Sequence, residues 1–340
     1  MRRIVYLSWP AREIAGGIKM AFRHVETLRR AGFAAAVVTP DAQPPTWFAT
    51  TAPVLSLDDL VAGTDVLVFP ENHAGFLRRF AAWPNRKVVF CQNQFMVWRG
   101  LDGGRDYADF GVRDLLCPAE LVAAFCRRRC PQQTIHLVSN GVDERLFHPR
   151  PPKRLQIAYA PRKRPLEAAF VRDLFRADNP AWATIPWVPL AQLSENEVAR
   201  LLGESAVYLS LCRFEALPLS ALEALAGGCV VAGFTGWGGR DYANAGNGFW
   251  AAEDDCLDAV EQLACAVRLV VDGGDRYRRL VDNALRTAAV YSRERFVCQL
   301  VDCWQNLLNP PSPAASPRRG PQASEAADTA GAAATPAAPP

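Results

Sequence analysis

The stretch Arg213-Phe-Glu-Ala-Leu-Pro-Leu-Ser-Ala-Leu-Glu-Ala-Leu-Ala-Gly-Gly-Cys-Val-Val-Ala-Gly-Phe-Thr-Gly-Trp-Gly-Gly239 decides how the rest of the chain is read. Proline lacks the N–H that a first helical turn leaves unpaired anyway, so Pro218 predicts a helix over 218–226, stopped by Gly227 or Gly228. A short strand follows. Glu215 falls just outside the helix, beside free backbone N–H groups and a positive dipole end that together attract phosphate. Glu223 falls about two turns inside, where a carboxylate suits sugar hydroxyls better than phosphate.

On either side of this stretch the composition allows a large fold. The chain has 340 residues, half of them hydrophobic, enough for a sizeable core and for two domains rather than one. A net charge of +3 carries no basic excess on the scale nucleic acid requires. The ten cysteines include no Cys-x-x-Cys pair. Cys91, Cys117, Cys229 and Cys265 stand in apolar surroundings and read as small buried hydrophobes in a reducing compartment, without a metal or disulfide framework. Arg2 and Arg3 precede an apolar run that Pro10 ends, too short for a signal peptide. No run reaches membrane-spanning length, so a cytoplasmic protein is expected.

The order of elements predicts α/β. A buried strand over 4–8 leads through Gly16 and Gly17 to Ile18, Phe22, Val25 and Leu28 at helical spacing, closed by Gly32, and then to a strand over 33–39. Strand, loop, helix, strand is the opening of a parallel sheet, whose ligands sit at the carboxyl ends of the strands. Further strands are predicted over 65–69, 87–91, 114–117 and 135–138, with helices over 75–82 and 118–129. Residues 93–110, with Trp98, Gly100, Gly103 and Gly104, read as a long functional loop. His24 on the first helix reads as surface or core.

Pro149, Pro151 and Pro152 form a joint that regular structure cannot cross. It divides the chain into a first domain over 1–150 and a second over 151–308, whose last helix is allowed to pack back on the first. The second series has a strand over 155–159, a helix over 167–175 and a strand over 183–188. A helix from Ser194 follows, with Glu197 completing a capping box, then a strand over 206–211 and helices over 255–271, 277–290 and 293–308. Residues 309–340 hold Pro, Ala, Ser and Gly with no aromatic or large aliphatic side chain, which predicts a disordered tail.

Several of these residues together carry a family likeness. Gly16-Gly17 after the first strand, Ser139-Asn140-Gly141-Val142-Asp143 before the joint, Arg162-Lys163 after the next strand, and Glu215 to Glu223 with Gly238-Gly239 resemble the nucleotide-sugar-dependent glycosyltransferases of family 4. The likeness covers most of 1–308, and the paired glutamates are its most specific part. It implies the GT-B fold, two Rossmann-like domains facing across a cleft. It also implies a hexosyl or related transferase that retains anomeric configuration, uses no metal or other cofactor and serves polysaccharide biosynthesis. Glu215 would touch the donor sugar, Glu223 the ribose hydroxyls, and Leu217, Pro218 and Leu219 would offer backbone to the diphosphate. Gly16 and Gly17 would also face the donor. Arg162 and Lys163 would neutralise the leaving diphosphate, as fixed cations at such a site can. Many relatives carry a histidine where this chain has Gln92-Asn93-Gln94. Amides can hydrogen-bond sugar hydroxyls but cannot serve as a base, so Gln92, Asn93 and Asn140 are expected as sugar or acceptor contacts and the proton acceptor stays unassigned.

Other readings compete on the same residues. Arg162 and Lys163 sit among Lys153, Arg154 and Arg164, which also describes a solvated basic loop. Gly16 and Gly17 also suit a tight turn, and Asn140-Gly141 a plain strand-end turn. The expected partners are a nucleotide-sugar donor and a glycan or lipid-linked acceptor. Peripheral contact with the inner face of a membrane through Arg78, Arg79, Arg127, Arg128 and Arg129 competes there with an ordinary solvated face. A nucleotide-sugar epimerase of the same fold, or a non-catalytic sugar-nucleotide or glycan-binding protein, would use the same architecture. Base recognition is expected in the loop over 188–193.

Overall fold

The computed structural model describes residues 2–13, 15–101 and 105–309. The first lobe runs β1 (Ile4–Leu7), α1 (Gly16–Arg30), β2 (Ala35–Val38), β3 (Val54–Leu55), β4 (Val66–Pro70), α2 (Ala74–Phe80), β5 (Lys87–Phe90), α3 (Gln94–Gly100), β6 (Val112–Cys117), α4 (Glu120–Arg129) and β7 (Thr134–Leu137). Its strands form one parallel sheet in the order β3-β2-β1-β4-β5-β6-β7. The second lobe runs β8 (Arg154–Tyr159), α5 (Pro165–Asp178), β9 (Trp187–Pro189), α6 (Glu195–Glu204), β10 (Ser205–Leu211), α7 (Leu219–Ala226), β11 (Val230–Phe234), β12 (Gly248–Ala251), α8 (Cys256–Asp272), α9 (Gly274–Val290) and α10 (Arg293–Leu308). Its parallel sheet is ordered β12-β11-β10-β8-β9.

Because successive strand side chains point to opposite faces, each sheet feeds two cores. In the first lobe Val5, Leu7, Leu67 and Phe69 face α2, α3 and α4, while Ile4, Tyr6, Val66 and Val68 face α1. In the second, Val207, Leu209, Val230 and Ala232 pack on α5 and α8, and Tyr208 and Val231 on α6, α7 and α9. The last helix, α10, belongs in space to the first lobe. Phe296, Leu300, Trp304 and Leu307 join the core over α1, and the buried Trp304 indole donates to Tyr6 Oη at 3.3 Å. Tyr6 Oη in turn shares a 3.0 Å hydrogen bond with Nδ1 of His24, which is fully buried; burial pushes the imidazole down to about 3. The crossover is tied at its root by Val142 N–H to Tyr291 O and Arg293 N–H to Val142 O. A second tie joins α1 to the start of α6, where Lys19 and Arg23 both reach Glu195, at 2.6 and 3.1 Å.

Several expectations need correction. The supposed loop over 93–110 contains α3 and a 3-10 turn over Tyr107–Phe110. Phe95-Met-Val-Trp98 has no clean helical period, but Asn93 caps the helix by accepting the Phe95 N–H at 3.0 Å, and Val97 anchors it in the core. Pro218 is the cap residue of α7 rather than its first helical residue. The strand expected over 183–188 is Trp187–Pro189, preceded by a 3-10 turn over Pro180–Trp182. The short strands β3 and β12 lacked a long enough apolar run to be read. Cys91, Cys117 and Cys229 are buried, but Cys265 is exposed. The glycines at 103 and 104 and the tail over 310–340 lie outside the described residues.

Candidate functional site

In a doubly wound sheet the strand order reverses at one point, and the adjacent strands part at their carboxyl ends to leave a crevice. The reversal lies between β1 and β4 in the first lobe and between β8 and β10 in the second. The segments leaving these four strands line one cavity of 880 Å³ between the lobes. It takes in Gly16 and Gly17 after β1, Glu71 and Asn72 after β4, Arg162 and Lys163 after β8, and Glu215, Ala216 and Leu217 after β10. Gln92, Asn93, Asn140, Leu219 and Ser220 complete much of the wall. Pro218 and Glu223 are outside the lining.

The second-lobe wall is charged and braced. Lys163 forms an ion pair with Glu215, which brings the expected cation and acid of the donor site together. Arg162 is exposed at the cavity edge. The solvated-basic-loop reading fails for Arg164 and Lys153, though Arg154 is exposed. Arg164 is 1% exposed; its Nε donates to Cys212 O at 3.1 Å and its guanidinium pairs with Glu253 and Asp254 while lying 4.4 Å from the Phe234 ring centroid. Lys153 donates to the carbonyls of Leu202, Ser205 and Gly227. Arg164 therefore positions the loop from which Arg162 and Lys163 project. No side chain caps α7, whose first-turn N–H groups at Leu219 and Ser220 helical bonding leaves unpaired, and both residues line the cavity. Glu223 is half-buried on the same helix. Burial pushes its carboxyl up to about 7, helped by the charges of Glu195 and Glu215 and opposed by Lys19.

The first-lobe wall carries Glu13 and Arg99 as its charged members and is otherwise hydrogen-bonding. Gln92 Nε2 donates to Gly17 O at 3.1 Å, so two residues singled out separately in the sequence meet here. Asn140 lines the cavity and is buried, and its Oδ1 has no hydrogen-bond partner. Asn93 is already engaged at both ends: besides capping α3, its Nδ2 crosses to Phe214 O at 2.7 Å.

Sequence reasoning missed Glu71. It follows directly on β4, is 5% exposed and reaches the cavity. Burial pushes its carboxyl up to about 8 against the pull of the Glu71, Gln92 and Asn93 amides. The sequence shows only a Pro-Glu-Asn-His run after a buried strand, and it takes the strand order to place that run at the sheet reversal, where ligands bind. Next to it, Asn72 accepts from Trp9 Nε1 at 3.1 Å, and the Trp9 ring stacks on His73 at 4.3 Å.

Away from the cleft, the sulfurs of Cys91, Cys117 and Cys126 lie within 4.8 Å of one another in the first-lobe core, a soft donor set of the kind that suits a thiophilic ion. None of the three lines the cavity, and burial pushes the Cys91 thiol well up. No helix among the described residues is long and apolar enough to cross a membrane.

Comparison with known proteins places this geometry. No family model matches the chain. An alpha-1,6-glucosyltransferase of Actinobacillus pleuropneumoniae serotype 7 is 23% identical over 294 residues, which cover 83% of this chain and 88% of that protein. Among solved structures, a glycosyltransferase from Rickettsia africae aligns with a TM-score of 0.65 at 11% identity, over 91% of this chain and 99% of its own. HepE of Anabaena, solved in complex with UDP, aligns with a TM-score of 0.67 at 11% identity, over 89% of this chain and all of its own. HepE has also been solved in complex with UDP-glucose. The fold is therefore GT-B, two Rossmann-like lobes facing across a cleft.

Proposed function

We propose that this protein is a glycosyltransferase that moves a hexosyl or related group from a nucleotide-sugar donor to a glycan or lipid-linked acceptor, with retention and without a metal. The observation that carries the reading is the shared cavity at the two sheet reversals, charged on the second-lobe side and hydroxyl-binding on the first. The names of the relative and of the HepE complexes make a uridine diphosphate donor and glucosyl transfer the first choice to test.

Breaking the bond between the anomeric carbon and the diphosphate puts negative charge on the departing phosphate. Lys163, Arg162 and the backbone from Leu217 into the uncapped start of α7 at Leu219 stand ready for that charge, and they are worth most where water is excluded. Glu215 fixes the Lys163 ammonium and faces the donor sugar. Glu223 accepts hydrogen bonds from the ribose. Gly16 and Gly17 let the first lobe approach the donor, while Gln92 and Asn140 hold sugar or acceptor hydroxyls. With amides at Gln92 and Asn140 and with Glu71 already holding its proton below about pH 8, the leaving phosphate itself is the natural recipient of the acceptor proton.

A thermal-shift screen with UDP, GDP, ADP, dTDP and CMP, followed by incubation with the matching sugar nucleotides, tests the reading, because a ligand that binds only the native state raises its melting point. A Tm rise with one nucleotide diphosphate and transfer of its sugar is expected. Indifference to all of them would sink the proposal. One observation favours a second reading: Glu71, titrating near 8, is an acid/base group of the kind a nucleotide-sugar epimerase needs. Epimerised donor in the absence of acceptor would establish it.

A further inference from the structure

The cleft mouth carries an aromatic corner that the donor chemistry leaves unused. Phe95, Phe214 and Trp237 are 39%, 53% and 39% exposed, although large apolar side chains are normally covered. Phe95 comes from α3 in the first lobe; Phe214 and Trp237 come from the two halves of the glycine-rich stretch in the second. The Phe95 ring meets Phe214 at 5.3 Å and 74°, and Trp237 at 5.6 Å and 90°.

This corner is built. Trp237 N–H donates to Arg213 O at 3.0 Å and Gly238 N–H to Glu215 O at 2.9 Å, which zips the Trp237 loop onto the Phe214 loop. A Cβ on Gly238 would lie 1.8 Å from Ala216 O, so only glycine permits the approach. The Asn93 amide ties α3 to Phe214 O. Asn93 and Met96 on either side of Phe95, and Glu215 just after Phe214, line the cavity, so the corner and the site share an edge. The guanidinium of Arg213 lies over the Phe214 ring, 5.1 Å from its centroid, and that of Arg240 over the Trp237 ring, 5.4 Å from its centroid, so each of these rings has a cation on one face and leaves the other for a ligand. Arg213 Nε is buried without a partner.

We propose that Phe95, Phe214 and Trp237 form a stacking subsite for a pyranose ring of the acceptor, so that the acceptor is an oligosaccharide whose penultimate sugar rests on this corner. The inference rests on the transferase reading. A pyranose matches the surface because its C–H faces are apolar while its hydroxyl rim wants donors, and the corner offers both within one ring's width. The alternative occupant, a lipid surface, fits less well. The Phe95 ring stands at 74° to Phe214 and 90° to Trp237, in a corner drawn from both lobes beside residues that line the cavity, whereas insertion into a bilayer needs side chains that project together.

The test measures binding and transfer with UDP-glucose and a graded acceptor series: glucose, isomaltose, isomaltotriose, and the corresponding maltose and cellobiose oligomers. For the wild type, at least one disaccharide or trisaccharide is expected to have a KM tenfold or more below that of glucose. Phe95→Ala and Trp237→Ala should erase that gain while kcat with saturating acceptor stays within about threefold, and Phe95→Tyr and Trp237→Phe should restore it. A retained UDP-induced rise in Tm marks each variant as folded. Equal KM values for monosaccharide and oligosaccharides, or a length preference that survives the alanine variants, overturn the proposal. So does loss of flotation with phosphatidylglycerol vesicles in variants whose saccharide KM is unchanged, which would assign the corner to a membrane. If UDP-glucose fails to raise the wild-type Tm, it is the donor reading that fails. A normal Tm rise without acceptor discrimination removes only the subsite.

Discussion

Two glutamates stand at matching places in the two lobes. Glu71 follows β4 and Glu215 follows β10, each at the carboxyl end of a strand beside its sheet reversal, and both line the same cavity. Their environments are opposite. Glu215 is paired with Lys163 and keeps part of its surface in the cleft. Glu71 is buried with only backbone amides to favour its charge, and burial wins, so its carboxyl titrates near 8. The difference separates the jobs of the two walls. The second lobe holds a fixed ion pair at the cavity, while the first places a buried, proton-holding carboxyl among amides, with Glu13 and Arg99 as its charged members.

The largest expected effect tests the buried carboxyl of the first-lobe wall. A carboxyl whose folded value is about 8, against about 4.5 unfolded, holds its proton in the native state after the unfolded chain has released it. Stability from this group is therefore full below about pH 4.5 and falls as pH rises to about 8, by up to ~1.4 kcal/mol per unit. Glu71→Gln removes that slope: relative to wild type its Tm should rise steadily from pH 5 to pH 8. Parallel Tm curves for the two proteins would show that Glu71 is ionised and paired as Glu215 is.

The charged wall is tested by Lys163→Ala. Removing one preorganised donor from a site of developing charge typically costs about 100- to 1,000-fold in turnover. A fall in kcat of that order, with a much smaller change in donor KM, is expected, and Arg162→Ala should follow the same pattern more weakly from its exposed position. A rise in KM at unchanged kcat would mean that these cations only bind the ground state.

How far the sequence could lead differs between the walls for the same reason. The second-lobe wall is built by local chain: Glu215, Pro218, Leu219 and Glu223 share one stretch, and Arg162-Lys163 follows a strand directly, so a family likeness could rest on contiguous residues. The first-lobe wall is assembled from distant segments. Gln92 matters because it reaches Gly17, and Asn140 because its burial leaves an acceptor bare, and neither fact has a local signature. Glu71 was overlooked because an isolated glutamate after a strand looks like a surface acid until the cover supplied by α3 and its neighbours is known. The same limit explains Arg164, which reads as one of a basic run and is instead buried beneath Phe234. Strand order and the return of α10 to the first lobe were within reach of the βα alternation and of the apolar face at Phe296, Leu300, Trp304 and Leu307.

Glu223 gives the next effect. If its carboxylate accepts from the ribose, Glu223→Ala should weaken UDP binding by about 10- to 100-fold, the range for losing hydrogen bonds to a charged group. Because the carboxyl titrates near 7 in the free protein, wild-type affinity should also fall as pH drops from 8 to 6, and Glu223→Gln should bind with little pH dependence over that window. Calorimetry at three pH values decides it. A wild-type affinity that ignores pH would place the ribose elsewhere.

The smallest effect contrasts one glycine from each wall. Gly238 in the second lobe is pressed against a backbone carbonyl, which cannot yield, whereas a Cβ on Gly17 would lie 2.9 Å from Nε2 of Gln92, the free end of a flexible side chain. In Gly17→Ala the amide can swing aside at the loss of its hydrogen bond to Gly17 O, worth about 1 kcal/mol. The expected result is a Tm lowered by about 2–4 °C and a change of a few fold in donor or acceptor KM, with kcat nearly unchanged. A hundredfold loss of turnover would mean that the Gln92 amide itself contacts the reacting sugar in the transition state, and the first wall would then be as closely tied to the chemistry as the second.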